Sequence, residues 1–134
     1  MCFLKEWKTG TLVTKAYKVF SVKNGKLFPM KSEYNIGKSY EIGSWLKCSD
    51  IKGFHCFISR ENAIQTKELC IEMQRKYPNQ FPSDNFVVKE VEIKEITIWG
   101  FALRNREDFE RYFLEKIEPT EPNSIRALEI KIIE

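Results

Sequence analysis

Residues 53–63, GFHCFISRENA, contain the only histidine of the chain. Imidazole is the side chain whose ordinary pKa lies closest to neutral pH, so His55 is the first candidate for moving a proton or for a hydrogen bond to a ligand. Phe54 and Phe57 offer aromatic faces on which a flat ring can stack. Gly53 has no side chain and lets a backbone or a ligand approach closely. Together these residue types favour a small pocket around His55.

A structural interpretation explains the same residues. On a strand, Phe54, Cys56 and Ile58 alternate toward a core, and His55 lies on the other face with a bond to neighbouring backbone. The sequence leaves the pocket and the structural interpretation open.

The four cysteines suggest two further kinds of chemistry. Cys2, Cys48, Cys56 and Cys70 have no CxxC spacing, which zinc knuckles and redox motifs use. His55 and Cys56 are adjacent, and adjacent residues of a strand point to opposite faces, so we expect no metal site. A Cys–His nucleophile pair needs a geometry that the sequence does not specify.

Strands are predicted throughout the first part of the chain. Residues 12–22 are rich in β-branched and aromatic residues and alternate in polarity, which predicts a strand. Asn24-Gly25 predicts a two-residue hairpin, because both residues tolerate positive φ. KLFPM then pairs back as a short or edge strand, since its proline lacks an N–H group. Two more strands are predicted at residues 38–45 and 54–58.

A long helix and a long strand are predicted next. Ser59 is the expected cap of a helix over residues 60–76, which Pro78 ends. Residues 85–103 predict a long strand. The alternating apolar residues of this strand occupy odd-numbered positions just before residues 94–95 and even-numbered positions just after them. This change indicates a bulge or a change in the face that is buried.

The last part of the chain predicts a second helix and a final strand. Asn105 is the expected cap of the helix NREDFERYFLEKI. Phe109, Tyr112, Phe113 and Ile117 follow at i, i+3, i+4 and i+8 and form one apolar stripe. LEIKII alternates in polarity and predicts a strand that returns to the sheet.

These elements predict a single α+β domain over residues 1–134. The helices come at separate places and there is no βαβ rhythm, which favours a mainly antiparallel twisted sheet with two main helices. A length of 134 residues is typical of one domain. We expect residues 1–11 to be a loosely attached N-terminal segment.

Charge and hydropathy exclude several classes of protein. The 22 basic and 19 acidic residues give a net charge of +3, whereas nucleic-acid binders show a basic excess or a dense basic stripe. No run approaches the roughly 18 apolar residues of a membrane span, and the N-terminus lacks the apolar core of a secretory signal. We therefore expect a cytoplasmic protein with free thiols, bound to neither nucleic acid nor membrane.

The segment IKGFHCFISRENAI resembles a segment of ADP-ribosyltransferase-like folds. In that family an aromatic-rich strand ends in serine and leads into a helix with alanine on its inner face, and the glycine and aromatic residues border a nicotinamide pocket. The chain also resembles small phage and bacterial proteins. In these, a strand like AYKVF, residues 16–20 here, precedes a variable hairpin and then Gly-Phe-His before a helix.

The resemblance implies an ADP-ribosyltransferase-like fold and a site for NAD, ADP-ribose or a similar nucleotide-like ligand. The family places a basic residue or histidine on its first strand, for which Lys15 and Lys18 are available. It places a glutamate late in the fold, for which Glu90, Glu92 and Glu95 are available. The implied ligand-binding residues are Tyr17, Lys18, Gly53, Phe54, His55, Phe57, Ser59 and Glu92.

Three functions remain open at this point. The first is binding of a nucleotide-like ligand around His55 without robust catalysis and with no certain cofactor. The second is a non-enzymatic protein-interaction module of phage or mobile-element origin, with a contact surface made by Phe3, Trp7, Trp45 and Trp99. The third is an active NAD-dependent ADP-ribosyltransferase, for which no catalytic residue is assigned.

Overall fold

The structure is a computed structural model that describes residues 3–28, 39–48, 51, 53–80 and 85–133. The strands are β1 (Lys5–Trp7), β2 (Lys15–Lys23), β3 (Lys26–Phe28), β4 (Trp45–Lys47), β5 (Phe54–Phe57), β6 (Phe86–Phe101) and β7 (Ser124–Ile132). The helices are α1 (Arg60–Lys76) and α2 (Arg106–Phe109), and α2 continues as a π-helix over Glu110–Leu114. A 3₁₀ turn over Pro78–Gln80 follows α1.

The predicted hairpin is confirmed. Lys23 of β2 pairs with Lys26 of β3 across the two turn residues. Asn24 and Gly25 have φ angles of 53° and 74°, the left-handed conformation that matches the twist of a two-residue hairpin. The proline of KLFPM lies outside the described residues.

The predicted first helix is also confirmed, with the same bounds. The Ser59 hydroxyl oxygen accepts a hydrogen bond of 3.2 Å from the backbone N–H of Asn62, so it satisfies one free donor of the first turn. Pro78 follows Tyr77, the C-cap residue of the helix, where it cannot extend the hydrogen-bond ladder. The face turned to the sheet carries the buried residues Ala63, Thr66 and Cys70.

Strand β6 is sixteen residues long and changes its buried face midway. Glu95 has a φ of 58°, and the register against β7 shifts between Ile96 and Ile98. Ile93, Ile96 and Trp99 all pack against the same core cluster, although Ile96 would lie on the opposite face of a regular strand, so the irregularity turns Ile96 toward that core. The predicted bulge is therefore present, just after residues 94–95.

The strands form one mainly antiparallel sheet whose pairings close a circuit. The order along the sheet is β1-β6-β2-β5-β7-β4, with β3 paired to β2, and β6 also pairs with β7. The circuit β2–β6–β7–β5 returns to β2 through a single pair, Tyr17 with Phe57. The last strand is central, because β7 pairs with β4, β5 and β6.

Apolar residues on the two faces of the sheet form two clusters. The first, on what we call the inner face, contains Ala16, Phe20, Leu27, Phe54, Cys56, Val91, Ile93, Trp99, Ile125, Ala127, Ile130 and Ile132. The second, on what we call the helix face, joins α1 to the sheet through Val19, Phe57, Ala63, Cys70, Phe86 and Ala102. The predicted α+β class is thus confirmed in its general form.

Two predicted elements differ from the structure. The strand predicted at residues 38–45 is replaced by isolated bridges at Tyr40 and Ile42 and by the short β4. Gly43 has a φ of 88° and interrupts the extended chain there. The second helix has only one α-helical turn before the π-helix begins. Residue 38 lies outside the described residues.

The described part of the N-terminal segment contacts the sheet. Strand β1 pairs with the end of β6, from Lys5 opposite Phe101 to Trp7 opposite Trp99. The Trp99 indole N–H donates to the Thr11 carbonyl oxygen at 3.0 Å. Among the described residues, no helix has the length and apolar character that a membrane span requires.

Candidate functional site

His55 lies on the helix face of β5, half-buried between aromatic rings. Its ring centroid is 5.4 Å from that of Phe3 and 4.7 Å from that of Phe57, both in edge-to-face geometry. Its neighbours Phe54 and Cys56 point into the core of the inner face. Within the described part of the chain, its Nε2 atom is buried and has no hydrogen-bond partner.

The surroundings of His55 oppose its protonation. Burial is the largest cause that lowers its pKa well below the usual 6.5, and the cations of Lys18 and Arg126 lower it further. Arg126 is the cross-strand partner of His55 on β7, and its guanidinium lies 5.3 Å from the ring centroid of Phe3. His55 is therefore a neutral imidazole at physiological pH.

Lys18 reaches His55 from the opposite face of the sheet. Its side chain lies on the inner face, and its Nζ donates to the His55 backbone carbonyl oxygen at 2.9 Å. Strands β2 and β5 pair only at Tyr17 and Phe57, so the amine takes the place of a ladder hydrogen bond where the strands separate. Burial lowers the pKa of this amine.

The other predicted residues of the GFHCFIS segment are occupied by packing and capping. Gly53 has a φ of 95°, and a Cβ there would collide with the backbone carbonyl of Ala127. The close approach that its missing side chain permits is thus made by the protein backbone. Phe54 and Phe57 are both buried, and the Ser59 hydroxyl caps α1.

Tyr17 and the glutamates of β6 lie further along the helix face. Tyr17 is the cross-strand partner of Phe57 on one side and of Glu90 on the other. The Arg60 guanidinium lies 5.0 Å from the centroid of the Tyr17 ring. Glu92 is two residues beyond this row and forms an ion pair of 3.3 Å with Lys131. The row therefore brings together Glu90, Tyr17 and Phe57, and Glu92 lies apart from it.

The three cysteines of the described residues form no disulfide bond. Cys48 is half-buried, and Cys56 and Cys70 are buried. Burial raises the pKa of Cys56 to about 11, which the nearby Lys18 and Arg126 partly offset. In the described ranges, no three His, Cys, Asp or Glu side chains lie close enough to bind a metal ion.

The tryptophans predicted to form a contact surface are largely covered. Trp99 is buried in the inner-face cluster. Trp7 and Trp45 are half-buried, and the ammonium groups of Lys94 and Lys131 lie 3.8 and 5.2 Å from the Trp45 ring.

A cleft that the sequence did not predict lies between the start of α1, the end of β6 and the segment after α2. Its volume is about 360 Å³. It is lined by Asn62, Phe101, Arg104, Asp108, Arg111, Tyr112, Ile117, Glu118, Pro119, Thr120, Glu121, Pro122 and Asn123. All of its lining residues except Asn62 come from residues 101–123, and no known motif marks them in the sequence.

Polar side chains fix the floor of the cleft. The Arg104 guanidinium donates to both carboxylate oxygens of Asp108 at 2.8 Å and to the side-chain oxygen of Asn62 at 3.1 Å. Next to it, the Asn105 amide donates to the side-chain oxygen of Gln65 at 2.8 Å. The residues that begin α2 are therefore attached to α1 by hydrogen bonds to Asn62 and Gln65.

Beside the cleft, four apolar side chains point into solvent. Phe109 is 47% exposed, Phe113 40%, Leu114 70% and Ile117 54%. The rings of Phe109 and Phe113 contact each other with centroids 4.8 Å apart. We call these four residues the exposed apolar surface. Three of them belong to the stripe predicted from the spacing, and Tyr112, the fourth member of that stripe, instead donates to the Leu4 carbonyl oxygen at 3.3 Å.

The chain was compared with models of protein families, with curated proteins and with solved structures, and none of the three comparisons found a match.

Proposed function

We propose that this protein is a non-enzymatic protein-interaction module whose contact surface is the exposed apolar surface of Phe109, Phe113, Leu114 and Ile117. The observation that carries the proposal is the exposure of these four side chains within nine residues of chain. A helical apolar stripe is ordinarily buried against a core, and contiguous exposed apolar surface marks contacts with partners.

The way in which α2 is attached supports this function. Arg104, Asp108 and Asn105 bind the helix through its polar side, which leaves the apolar side outward. The π-helix over Glu110–Leu114 supports it further, because such segments occur frequently at functional sites. The cleft adjoins the exposed apolar surface at Ile117 and offers a recess for one side chain of a partner.

A matched pair of variants tests the proposal. Leu114→Asp places a charge at the most exposed position of the exposed apolar surface, and Ile64→Asp does the same on α1, where Ile64 is 40% exposed. Both variants should keep the fold, since each position is solvent-accessible. A photo-crosslinking amino acid at position 113 reports contacts in cells.

We expect a discrete cross-linked product from position 113 that Leu114→Asp reduces by about tenfold or more, because a carboxylate would be buried in the contact. Ile64→Asp should leave the product unchanged. Absence of any product from position 113, or equal loss in the two variants, would contradict the proposal.

A second candidate is binding of a nucleotide-like ligand such as NAD or ADP-ribose at His55. The observation that favours it is the buried Nε2 atom without a hydrogen-bond partner among the described residues, because buried polar atoms are rarely left unpaired. A ligand or a water molecule that supplied this partner would have to pass Phe3 and Phe57. In this proposal the protein acts in the cytoplasm, with Tyr17 and Glu90 at the edge of the site.

Thermal unfolding with and without NAD, ADP-ribose and nicotinamide tests this candidate. A ligand at about a hundred times its dissociation constant adds about 2.7 kcal/mol to the free energy of unfolding, a shift of several degrees for a domain of this size. The shift should disappear in His55→Ala and persist in Arg111→Ala, which alters only the cleft. If no compound shifts the wild-type transition, this candidate is wrong.

A further inference from the structure

We propose that the partner of the exposed apolar surface is a basic amphipathic helix, a protein segment with apolar residues on one side and lysine or arginine beside them. The inference rests on the proposed protein-interaction function and adds the chemistry of the partner. It is carried by the size of the surface and by the carboxylates that border it.

The size of the exposed apolar surface fits a single helix of a partner. Its four side chains lie within nine residues of chain, from Phe109 to Ile117. Stable contacts between two globular proteins use about 20–30 residues on each side. A helix that lies against an apolar surface needs only a few anchors, spaced at i, i+3, i+4 and i+7. The surface is therefore too small to be the main contact of a homodimer and large enough for one amphipathic helix.

Backbone hydrogen bonds hold this surface in one arrangement. The Glu115 N–H donates to the Glu110 carbonyl oxygen at 2.9 Å and closes a turn of the π-helix. Lys116 has a φ of 58°, and the Ile117 N–H donates to the Arg111 carbonyl oxygen at 2.8 Å. This pattern ends a helix at a residue in the left-handed conformation. Ile117 is thus fixed beside the last turn, and a partner need not order the surface before it binds.

The arginines that border the surface are already paired. The Arg111 Nη2 atom lies 3.3 Å from a carboxylate oxygen of Glu107. The Arg106 Nη2 atom lies 3.8 Å from a carboxylate oxygen of Glu72 on α1. The charge of each guanidinium is therefore offset within the protein.

Three carboxylates beside the surface remain. None of the ion pairs among the described residues includes Glu110, Glu115 or Glu121, and all three residues are exposed. Glu110 and Glu115 flank Leu114 on the π-helix, and Glu121 lines the cleft. Between residues 104 and 121, which the structure describes in full, Lys116 is the one basic residue without an ion pair. Lysine or arginine of a partner would therefore meet an excess of carboxylates, whereas acidic residues would be repelled.

The cleft next to Ile117 can take one lysine or arginine side chain of this helix. Its volume is about 360 Å³. The apolar stem of such a side chain can pack on Pro122, and Glu121 in the same wall can accept a hydrogen bond from the charged end. The two guanidiniums of the cleft, Arg104 and Arg111, are each bound by a carboxylate.

The same charges disfavour two other classes of partner. An anionic membrane surface attracts lysine and arginine, and the phosphates of nucleic acids do so as well. Both would repel the carboxylates beside the exposed apolar surface. A basic protein segment is the partner that satisfies the apolar side chains and the carboxylates together.

Two synthetic peptides test the inference with the wild-type chain. Both are about 15 residues long, the length at which an isolated helix becomes marginally stable, and both carry leucine at i, i+3, i+4 and i+7. The remaining positions are alanine and lysine in one peptide and alanine and glutamate in the other. Fluorescence anisotropy gives a Kd for each. We expect the lysine peptide to bind about tenfold more tightly, and the difference should shrink as the salt concentration rises, because exposed charges are screened.

A matched pair of triple variants locates the charge. Neutralising the carboxylates beside the surface should weaken binding of the lysine peptide about tenfold; this variant is Glu110→Gln/Glu115→Gln/Glu121→Gln. The control changes the net charge equally at exposed glutamates elsewhere and should leave binding unchanged; it is Glu41→Gln/Glu68→Gln/Glu95→Gln.

Leu114→Ser separates this inference from the function on which it rests, because it removes an apolar contact without adding a charge. It should weaken binding of the lysine peptide. Binding that Leu114→Ser does not change would contradict the proposed function itself. Weaker binding of both peptides in this variant, with equal affinities of the two for the wild type, would leave the function and overturn only the basic partner.

Three further results would overturn the inference. The first is that neither peptide binds, and the second is that the two triple variants bind the lysine peptide equally. The third is a dimer of the wild type in sedimentation that Leu114→Ser dissociates, because a second copy of the chain would then cover the surface.

Discussion

Arg104 and Asp108 form a two-pronged ion pair, in which Nε and Nη2 of the guanidinium each lie 2.8 Å from a carboxylate oxygen. The backbone N–H of Arg104 donates to the same carboxylate at 3.0 Å. Asp108 is only 6% exposed, so the carboxylate is shielded from water, whereas 27% of the Arg104 side chain is exposed. The ion pair attaches α2 to the end of β6 and orients the exposed apolar surface.

Asp108→Asn should lower the free energy of unfolding at pH 7 by about 2 kcal/mol, because a charged hydrogen-bond partner of a part-buried guanidinium is lost. The neighbouring Glu107→Gln is the control. Glu107 forms an ion pair with Arg111 at 3.3 Å that is largely exposed, so its loss should cost less than about 1 kcal/mol. Urea unfolding of both variants provides the measurement, and equal losses would contradict the expected difference.

Asp108 should also make stability depend on acid pH. Burial by itself raises the pKa of this carboxyl, but hydrogen bonds from Arg104 outweigh burial and lower it below its usual value. A carboxyl with a lowered pKa stabilises the fold above the unfolded value near 3.9, and this contribution is lost as pH falls through the folded pKa. Unfolding curves of wild type and Asp108→Asn should therefore converge as pH falls below about 4.

The single histidine should produce a separate pH dependence. Since the folded pKa of His55 lies well below its usual 6.5, the unfolded chain binds a proton more readily between the two values. The contribution of neutral His55 to the free energy of unfolding is fully present above pH 6.5. This contribution is lost as pH falls, with a slope of up to about 1.4 kcal/mol per pH unit. His55→Phe should remove this slope between pH 6.5 and 5. If wild type and variant show the same slope there, His55 is not the group responsible.

Two glycines with similar backbone angles should respond differently to alanine. Gly53 and Gly43 have φ angles of 95° and 88°, but a Cβ at Gly53 meets the Ala127 backbone, whereas nothing lies within 4 Å of one at Gly43. Gly43→Ala should lower the free energy of unfolding by about 1–2 kcal/mol, because an alanine there must adopt the left-handed backbone conformation. Gly53→Ala should cost more, since strand β5 must also move from β7. Thermal unfolding compares the two, and equal costs would mean that the backbone contact is easily relieved.

Asn123 should be essential for joining the end of β6 to the start of β7. Its side chain accepts from the Ala102 backbone N–H at 2.9 Å and donates to the Ala102 carbonyl oxygen at 3.0 Å. Asn123→Ala leaves both buried groups unpaired, which should cost about 2–3 kcal/mol. Asn123→Asp keeps a side-chain oxygen that can accept from the Ala102 N–H, but it loses the amide group that donates to the Ala102 carbonyl oxygen. Hydrogen exchange at the Ala102 amide should therefore accelerate in the alanine variant and not in the aspartate variant.

Local chemistry explains which predictions from the sequence were confirmed. Ser59 and Pro78 define the ends of α1 through hydrogen bonds and steric limits within one turn. Asn24-Gly25 defines the hairpin through its own backbone preference. The strand predicted at residues 38–45 was wrong in its extent, because Gly43 adopts a left-handed conformation that propensity alone does not reveal.

The candidate site was predicted less well than the elements. The sequence placed Phe57 beside His55, but it did not show that Phe3 would be the other aromatic neighbour. It also did not show that Lys18 would donate to the His55 carbonyl from the other face. It identified three of the four residues of the exposed apolar surface by their spacing. Spacing predicts that apolar residues share one side of a helix, and it does not say which side faces the core.

The sequence by itself determined the α+β class, the hairpin, the bounds of α1 and the bulge in β6, because each depends on residues close together in the chain. Only the tertiary structure decided that the pairings close from β2 through β6, β7 and β5, that the Lys18 amine donates to the His55 carbonyl, and that α2 turns its apolar side outward. These features depend on contacts between residues far apart in the chain, such as Arg104 with Asn62, whose free energies no local pattern encodes.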